Sequence, residues 1–370
     1  MNKQRTLDGT KNIKSTKKNN VKRKTNKIIG TKRIKHMTYV GIDLHKEFLQ
    51  VEAMDDKGSI LFNKKIQNTH DAIRKAFSIL PKSSKLVIES SSVWYGVFKF
   101  IRDELGFDVI LSNPYHTKAI AASKKKTDKI DAHILADLLR GGYISECHIP
   151  QQNTVQSRQL VRYRTKLVQN KTRLKNLIHS ITLQNGVNIP GTAFSNLYVQ
   201  KLLNLKDYRI NGYLRTIRFF EDRIIEADVR IKDTVQRDPN AQLLESIPGV
   251  GRFIALVISS EIDNIERFSD SHKLCAYAGI IPSVRNSADT IHHGNITRRG
   301  SNMLRWILVQ AIHSHLRHTP NSVIVRFYKR LAKKRGTSKA IVAAASKLLR
   351  IIYWMLKKKM TFEECIANSQ

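Results

Sequence analysis

The order of elements predicts an α/β ribonuclease-H-like domain over residues 37–150, a helical, coiled-coil-like middle over 151–240 and a mainly α C-terminal domain over 241–370. Three observations carry this expectation. Three strand-like segments joined by short turns precede alternating helical and strand-like segments. A seven-residue apolar repeat then runs through a stretch that holds no acid. The last third of the chain reads as amphipathic helices around glycine turns.

The first domain opens with TYVGIDL (38–44), FLQVEAM (48–54) and SILFNKKI (59–66), rich in β-branched and aromatic residues, with Asp55-Asp56-Lys57-Gly58 as turn chemistry. A helical stretch near 70–80 stops at Pro81, and KLVIES (85–90) reads as a buried strand. A helix near 93–105 leads to Gly106, then to FDVILSN (107–113) and Pro114. A last helix is expected over 128–140, ended by Gly141-Gly142.

Charge narrows the function. The chain holds 65 Lys+Arg against 30 Asp+Glu, a formal +35. An excess of that size points to a polyanionic partner, and nucleic acid is the commonest. Residues 1–36 carry thirteen Lys/Arg and one acid, Asp8, with no apolar periodicity, and read as a disordered basic arm. Met37 stands directly before the first strand, so translation starting there is an open alternative to Met1. No apolar run reaches the roughly eighteen residues of a spanning helix, because Lys347 and Arg350 interrupt the nearest candidate. Three cysteines without CxxC spacing argue against a disulfide framework or structural zinc and for a reducing cytoplasm.

Four acids stand where such a fold would gather them. Asp43 lies in the first strand, Glu89 ends the fourth, and Asp128 and Asp131 are three apart at the start of the last helix. Carboxylates so placed converge on one sheet edge, where divalent cations relieve their repulsion. Mg²⁺, or Mn²⁺, suits such oxygen donors, and two ions can serve the attacking and leaving oxygens of a phosphodiester. Singly, Asp128 reads equally well as a helix cap, Glu89 as a solvated strand end and Asp43 as a turn residue.

Residues 147–206 contain no acid and nine Lys/Arg. Leu160, Leu167, Leu174 and Ile181 repeat every seven residues, widened by Val161, Val168, Leu177 and Ile178, which suits helix pairing. A second helical stretch, roughly 212–236, can pack back antiparallel. Arg158, Arg162, Lys166 and Arg173 run beside the stripe and are assigned to RNA or DNA backbone contact, because solvated faces normally mix signs. Tyr163 among them offers a stacking surface, although core packing is its commoner role. IPGVGRFIA (247–255) looks like a helix-hairpin-helix turn in which Gly249 and Gly251 let backbone N–H groups approach a phosphate. A plain interhelical turn explains it as well. Thr297, Arg298 and Arg299, with Gly300, suit a backbone clamp or a solvated loop. The segments YKRLAKKR (328–335) and KLLR (347–350) are basic but generic.

GIDLHKEFLQVEA, LVIES and above all KKKTDKIDAHILADLL (124–139) resemble the DEDD transposases of bacterial insertion sequences, a family that includes the Piv-type invertases. The second half is similar as well, in LESIPGVGRFIALVISSEI (244–262), FSDSHKLCAYAGIIPSVRNS (268–287) and HHGNITRRGSNMLRWILVQAIHS (292–314). The likeness runs from about Met37 to near the C-terminus. It implies a RuvC-like first domain whose metal-binding tetrad falls on Asp43, Glu89, Asp128 and Asp131. It implies a serine in the second domain that attacks DNA and becomes joined to it. It also implies a structured non-coding guide RNA that pairs with element and target DNA, and a homo-oligomer, dimer or tetramer, in which one subunit's carboxylates meet another's serine. A cytoplasmic, nucleoid-associated bacterial protein follows from the same likeness.

Counting from Pro282, the family's serine falls on Ser287, with Ala288 where glycine is common; Ser283 is the fallback. Without the likeness, Ser287 is a loop serine with no evident base nearby, unless His292 or His293 folds back. The function expected is therefore a transposase or recombinase that cuts and rejoins DNA at the ends of a mobile element. Two alternatives stay open within enzymes: a metal-dependent Holliday-junction-type nuclease and a Piv-like invertase without guide RNA. A non-catalytic nucleic-acid-binding protein is the alternative outside them.

Overall fold

The structure, a computed structural model, describes residues 37–91, 93–120, 127–187, 194–287 and 290–368. The basic arm expected at 1–36 and Ala288 lie outside the described residues. The chain divides into two compact units between Ile149 and Pro150.

The first unit is a mixed five-stranded sheet with helices on both faces. Its strands are β1 (Tyr39–Leu44), β2 (Phe48–Met54), β3 (Ile60–Gln67), β4 (Lys85–Glu89) and β5 (Asp108–Ser112), in the order β3-β2-β1-β4-β5. The first three run antiparallel, and β4 and β5 join parallel to β1. Alternation along β1 assigns its two faces. Val40, Ile42 and Leu44 enter a core with Ile73 and Phe77 of α1 (His70–Phe77) and Val97 and Phe98 of α2 (Trp94–Lys99). Gly41 and Asp43 face the other way, toward α4 (Asp128–Arg140).

The structure differs from the sequence reading at two points here. The helix foreseen near 93–105 is α-helical only to Lys99 and continues as a π-helical turn, Phe100–Glu104. Pro114, placed after the strand-like run, opens α3 (Pro114–Ile120), a helix not expected from the sequence. Asn113 accepts a hydrogen bond from the Tyr115 N–H at 3.0 Å, and proline suits the first helical position, whose N–H would have no intrahelical partner.

The second unit is mostly helical. Helix α5 (Gln152–Gln184) lies along α7 (Tyr208–Gln236). Arg164 pairs with Asp228 at 3.0 Å and, two turns on, Lys171 with Glu221 at 3.6 Å, so the two helices run antiparallel. Val161, Leu167, Ile178 and Ile181 of the heptad stripe are buried, whereas Leu177 is exposed. A short helix, α6 (Asn196–Asn204), closes the far tip, where Tyr198 and Leu202 join Ile178, Ile210 and Leu214. At the other end Val161, Ile231 and Val235 share one core with Leu256, Leu308 and Leu348. That core is built by α8 (Pro239–Glu245), α9 (Arg252–Ile262), α10 (Ser271–Tyr277), α11 (Asn302–His318), α12 (Val323–Arg335), α13 (Thr337–Lys358) and α14 (Phe362–Ala367). A two-stranded ribbon, β6 (Pro282–Ser287) and β7 (Thr290–Ile296), interrupts the helices. Among the described residues, no helix is long and apolar enough to cross a membrane.

Candidate functional site

The site in the first unit is made by the close approach of α4 to β1. A Cβ built on Gly41 would clash with the Ala132 carbonyl and lie 2.5 Å from the Ala136 N, so only glycine admits the helix at this depth. Thr127, not Asp128, caps α4: its hydroxyl accepts from the Ile130 N–H at 3.3 Å. Asp128 and Asp131 thus occupy the first turn, where the helix dipole favours negative charge.

Asp43 is only 8% exposed. Burial pushes its carboxyl above the usual carboxylate range, a hydrogen bond from His45 pulls it back, and the charges of Asp131 and Asp128 add to the rise. His45 Nε2 lies 3.0 Å from Asp43 Oδ2 and 3.5 Å from Asp128 Oδ1. The His45 ring stacks on Phe48, with centroids 4.4 Å apart, which holds its orientation. One ligand atom from each of Asp43, His45 and Asp128 falls within 4.8 Å of the others, a set able to grip a single divalent cation.

Of the expected tetrad, the structure brings Asp43 and Asp128 into that set, and Asp131 acts on Asp43 electrostatically. Glu89 ends β4, and it and Asp43 each follow directly on the last β1–β4 pair, Ile42–Ile88. It stands on the adjacent strand but outside the three-residue set. Sequence reasoning missed His45. The available signal was its i+2 spacing from Asp43, a spacing that keeps two side chains on one side of an extended segment.

A polar network extends the same sheet face. Gln50 pairs with Asp43 across β1 and β2, and Glu52 pairs with Gly41. Glu52 is buried, accepts from the Asn63 amide and contacts His133 Nδ1 of α4. The contact ties α4 to β2 one turn beyond the acids.

In the second unit, Ser287 is not in a loop: it is the last residue of β6, paired with Thr290, while Arg285 pairs with His292 and Val284 with His293. Ser283 sits in a bulge at the ribbon's root, with its Oγ against Gly294. The motifs flanking the ribbon interlock. The N–H groups of Thr297, Arg298 and Ser301 donate to the carbonyls of Ile281, Gly279 and Tyr277. Gly279 (φ 67°) lies too close to the Arg298–Arg299 backbone, and Gly300 (φ 102°) too close to that of Tyr277 at the end of α10, for any side chain. Arg298 and Arg299 are exposed.

The remaining sequence-predicted residues separate into two kinds. Arg158 donates to the Ser260 and Glu261 carbonyls at the end of α9, and Arg162 pairs with the buried Glu261 carboxylate at 2.8 Å. Lys166 and Arg173 point to solvent. Tyr163, expected more often in a core, is 50% exposed. Gly249 (φ 84°) is pressed against the α11 backbone, where a Cβ would lie 2.9 Å from the His315 N. Gly251, at the N-terminus of α9, has open space around its Cβ position.

Two family models match the chain. A family model for DEDD-type IS110 transposases, described as "Transposase", matches residues 40–185. A second, described as "Transposase IS116/IS110/IS902 family", matches residues 241–329. The chain belongs to the IS110-type transposase family. Curated relatives run along most of its length. The transposase for insertion sequence element IS1111A of Coxiella burnetii is 25% identical, over 89% of this chain and 92% of the relative. A probable family 20 transposase of Pseudomonas aeruginosa is 23% identical over 88% and 99%. The transposase for IS1328 of Yersinia enterocolitica is 20% identical over 89% and 99%. The family's first matched region holds Asp43, His45, Glu89, Asp128 and Asp131, and the second holds Ser287.

Proposed function

We propose that this protein cuts and rejoins DNA at the ends of an insertion sequence, using the acid cluster of the first unit and Ser287 of the second. The observation that carries the reading is the convergence of Asp43, His45 and Asp128, with Asp131 acting on the same carboxylate, in a chain that matches both transposase regions. The strand order β3-β2-β1-β4-β5, with Asp43 next to the end of β1 and Glu89 ending β4, supports a ribonuclease-H-like first unit.

Asp43, Asp128 and His45 would hold a divalent cation, Mg²⁺ or Mn²⁺, with Glu89 and Asp131 completing the tetrad. Such an ion, when bound, polarises a phosphodiester and favours a deprotonated attacking oxygen. Ser287 is the nucleophile: its Oγ forms a bond to phosphorus as a bond from phosphorus to a deoxyribose oxygen breaks. The serine proton passes to a base and the leaving oxygen gains one. The reverse exchange rejoins the strand and frees the serine. Position at the end of β6 suits this role, because a ribbon tip can present a residue to a phosphate.

The basic surfaces hold the nucleic acid. Exposed Lys166, Arg173, Arg298 and Arg299, and the open Gly251 N–H, are assigned to backbone contact. Arg158 and Arg162, engaged with α9 and Glu261, hold the α5 surface in place. A structured guide RNA supplies sequence choice by pairing, and the working form is an oligomer.

Asp43→Ala, Asp131→Ala and Ser287→Ala are each expected to abolish recombinant junctions while leaving nucleic-acid binding within about twofold of wild type. A covalent protein–DNA adduct is expected from wild type and not from Ser287→Ala. Junctions formed at the normal rate by any variant would remove that residue from the mechanism. Metal-dependent cleavage with no adduct would point to a junction nuclease. Sequencing RNA crosslinked to the protein in its native cells tests the guide: one short RNA transcribed beside the gene is expected, and a diffuse mixture would overturn it.

A further inference from the structure

A cavity of about 740 Å³ opens at the root of the β6–β7 ribbon, between it and α12, α13 and α14. The volume lies in the roughly 300–1,000 Å³ range of pockets that enclose one small molecule. Pro282 and Ile296, which pair at the base of the ribbon, form one wall. Phe327 and Trp354 supply aromatic surface, and Lys347 and Arg350 supply charge.

Two features distinguish this cavity from an ordinary packing gap. Its lining contains no acid among the described residues. From Ser271 to Met360 the sequence has eighteen Lys/Arg and a single acid, Asp289. One lining cation also rests against a lining ring: Lys347 Nζ lies 4.9 Å from the Phe327 ring centre, while Lys358, outside the lining, lies 5.3 Å from that of Trp354. Partial burial, with Arg330 and Arg326 nearby, holds the Lys347 ammonium below its usual range, and an anion placed there would favour its charged form. Trp354 nevertheless remains 47% exposed.

We propose that this cavity binds an unpaired nucleotide of a DNA strand, with its base against Trp354 and Phe327 and its phosphate on Lys347 and Arg350. An apolar protein segment would fill the aromatic walls and leave the cations without anions. A duplex keeps its bases stacked and offers only phosphates, so it would use the cations and leave the aromatic walls bare. A single strand uses both. The choice of DNA rests on the function proposed above, because the cavity shares Pro282 and Ile296 with the ribbon that carries Ser287.

The test uses the full chain and fluorescence anisotropy with a short single-stranded DNA oligonucleotide, the duplex of the same sequence and the matching single-stranded RNA. Trp354→Ala and Lys347→Met should each weaken single-stranded DNA binding about tenfold and change duplex binding less than about twofold. Trp354→Phe, which keeps a ring and the fold, should retain most of the affinity. A strand carrying 5-iododeoxyuridine should crosslink to Trp354 or Phe327. Equal losses on single strand and duplex would make this a general basic face and overturn the proposal. So would unchanged affinity, crosslinks confined to other segments, or a loss restricted to RNA. Ser287→Ala should bind the strand as wild type does, so strand binding and the nucleophile assignment can fail independently.

Discussion

Gly41 on β1 and Ala132 on α4 meet backbone to backbone, and this contact sets the distance between Asp43 and the acids of the α4 first turn. A methyl group at position 41 would collide with the Ala132 carbonyl and, at 2.5 Å, with the Ala136 N. Gly41→Ala must therefore push α4 outward, a displacement that overpacking makes worth about 1–3 kcal/mol of stability. It should also separate Asp128 from Asp43. Divalent-metal affinity, read by Mn²⁺ electron paramagnetic resonance or calorimetry, is expected to fall at least about tenfold in the still-folded variant. Unchanged metal affinity in a folded Gly41→Ala protein would show that the helix spacing does not build the site.

His45 makes a separate prediction, because it is the one nitrogen donor in the cluster. His45→Ala should leave the sheet intact, since the ring is half-exposed and, among the described residues, stacks on the Phe48 ring alone. Mn²⁺ affinity should drop by about tenfold to a hundredfold, the scale seen when a group that ligates or orients a ligand is removed. Full affinity would leave His45 as a simple hydrogen-bond partner of Asp43.

These two residues show how far the sequence could be read. The places of Asp43, Glu89, Asp128 and Asp131 near the ends and starts of elements were legible, because those elements follow from alternation and turn chemistry. β2 runs Phe48–Met54, as alternation predicts, and α4 spans Asp128–Arg140. His45 was not legible, because its value depends on where α4 lands, and a glycine contact between distant segments fixes that landing. The β6–β7 ribbon was missed for a similar reason. PSVRNS has little apolar alternation, and its strands are set by the interlocking of Gly279 and Gly300 with the opposite backbone. Arg158 and Arg162 looked like free cations because their partners at Ser260 and Glu261 lie about a hundred residues away.

His315 predicts a pH dependence of stability. It is fully buried, its Nδ1–H donates to the Pro248 carbonyl at 2.7 Å, and its Nε2 accepts from the Ser322 hydroxyl at 2.7 Å. Burial holds its pKa below the ordinary 6.5, the Pro248 bond pulls it partly back up, and nearby His318 lowers it again. The unfolded chain then binds the proton first as pH falls, so the contribution is complete above about pH 6.5 and is lost below it. One proton gives a slope of at most about 1.4 kcal/mol per pH unit. Denaturation midpoints should be level from pH 7 to 8 and then fall more steeply for wild type than for His315→Asn. Parallel curves for the two proteins would show that His315 does not contribute.

The two glycines of the PGVG turn should behave differently, although the sequence presents them as a pair. Gly249 has φ 84°, and a Cβ there would lie 2.9 Å from both the Ser314 carbonyl carbon and the His315 N. Gly249→Ala combines backbone strain with a clash against α11 and is expected to cost about 2 kcal/mol or more, lowering DNA binding only through the unfolded fraction. Gly251 has φ −90°, an open Cβ position and the N-terminus of α9 behind it. Gly251→Ala should cost below about 1 kcal/mol, yet its methyl group would stand where a phosphate approaches the α9 N–H groups. Duplex affinity is therefore expected to fall about three- to tenfold at constant melting temperature, with little change in sequence preference, because the contact positions the backbone and reads no base. A Gly251→Ala protein that binds duplex as tightly as wild type would make the turn a plain interhelical connection.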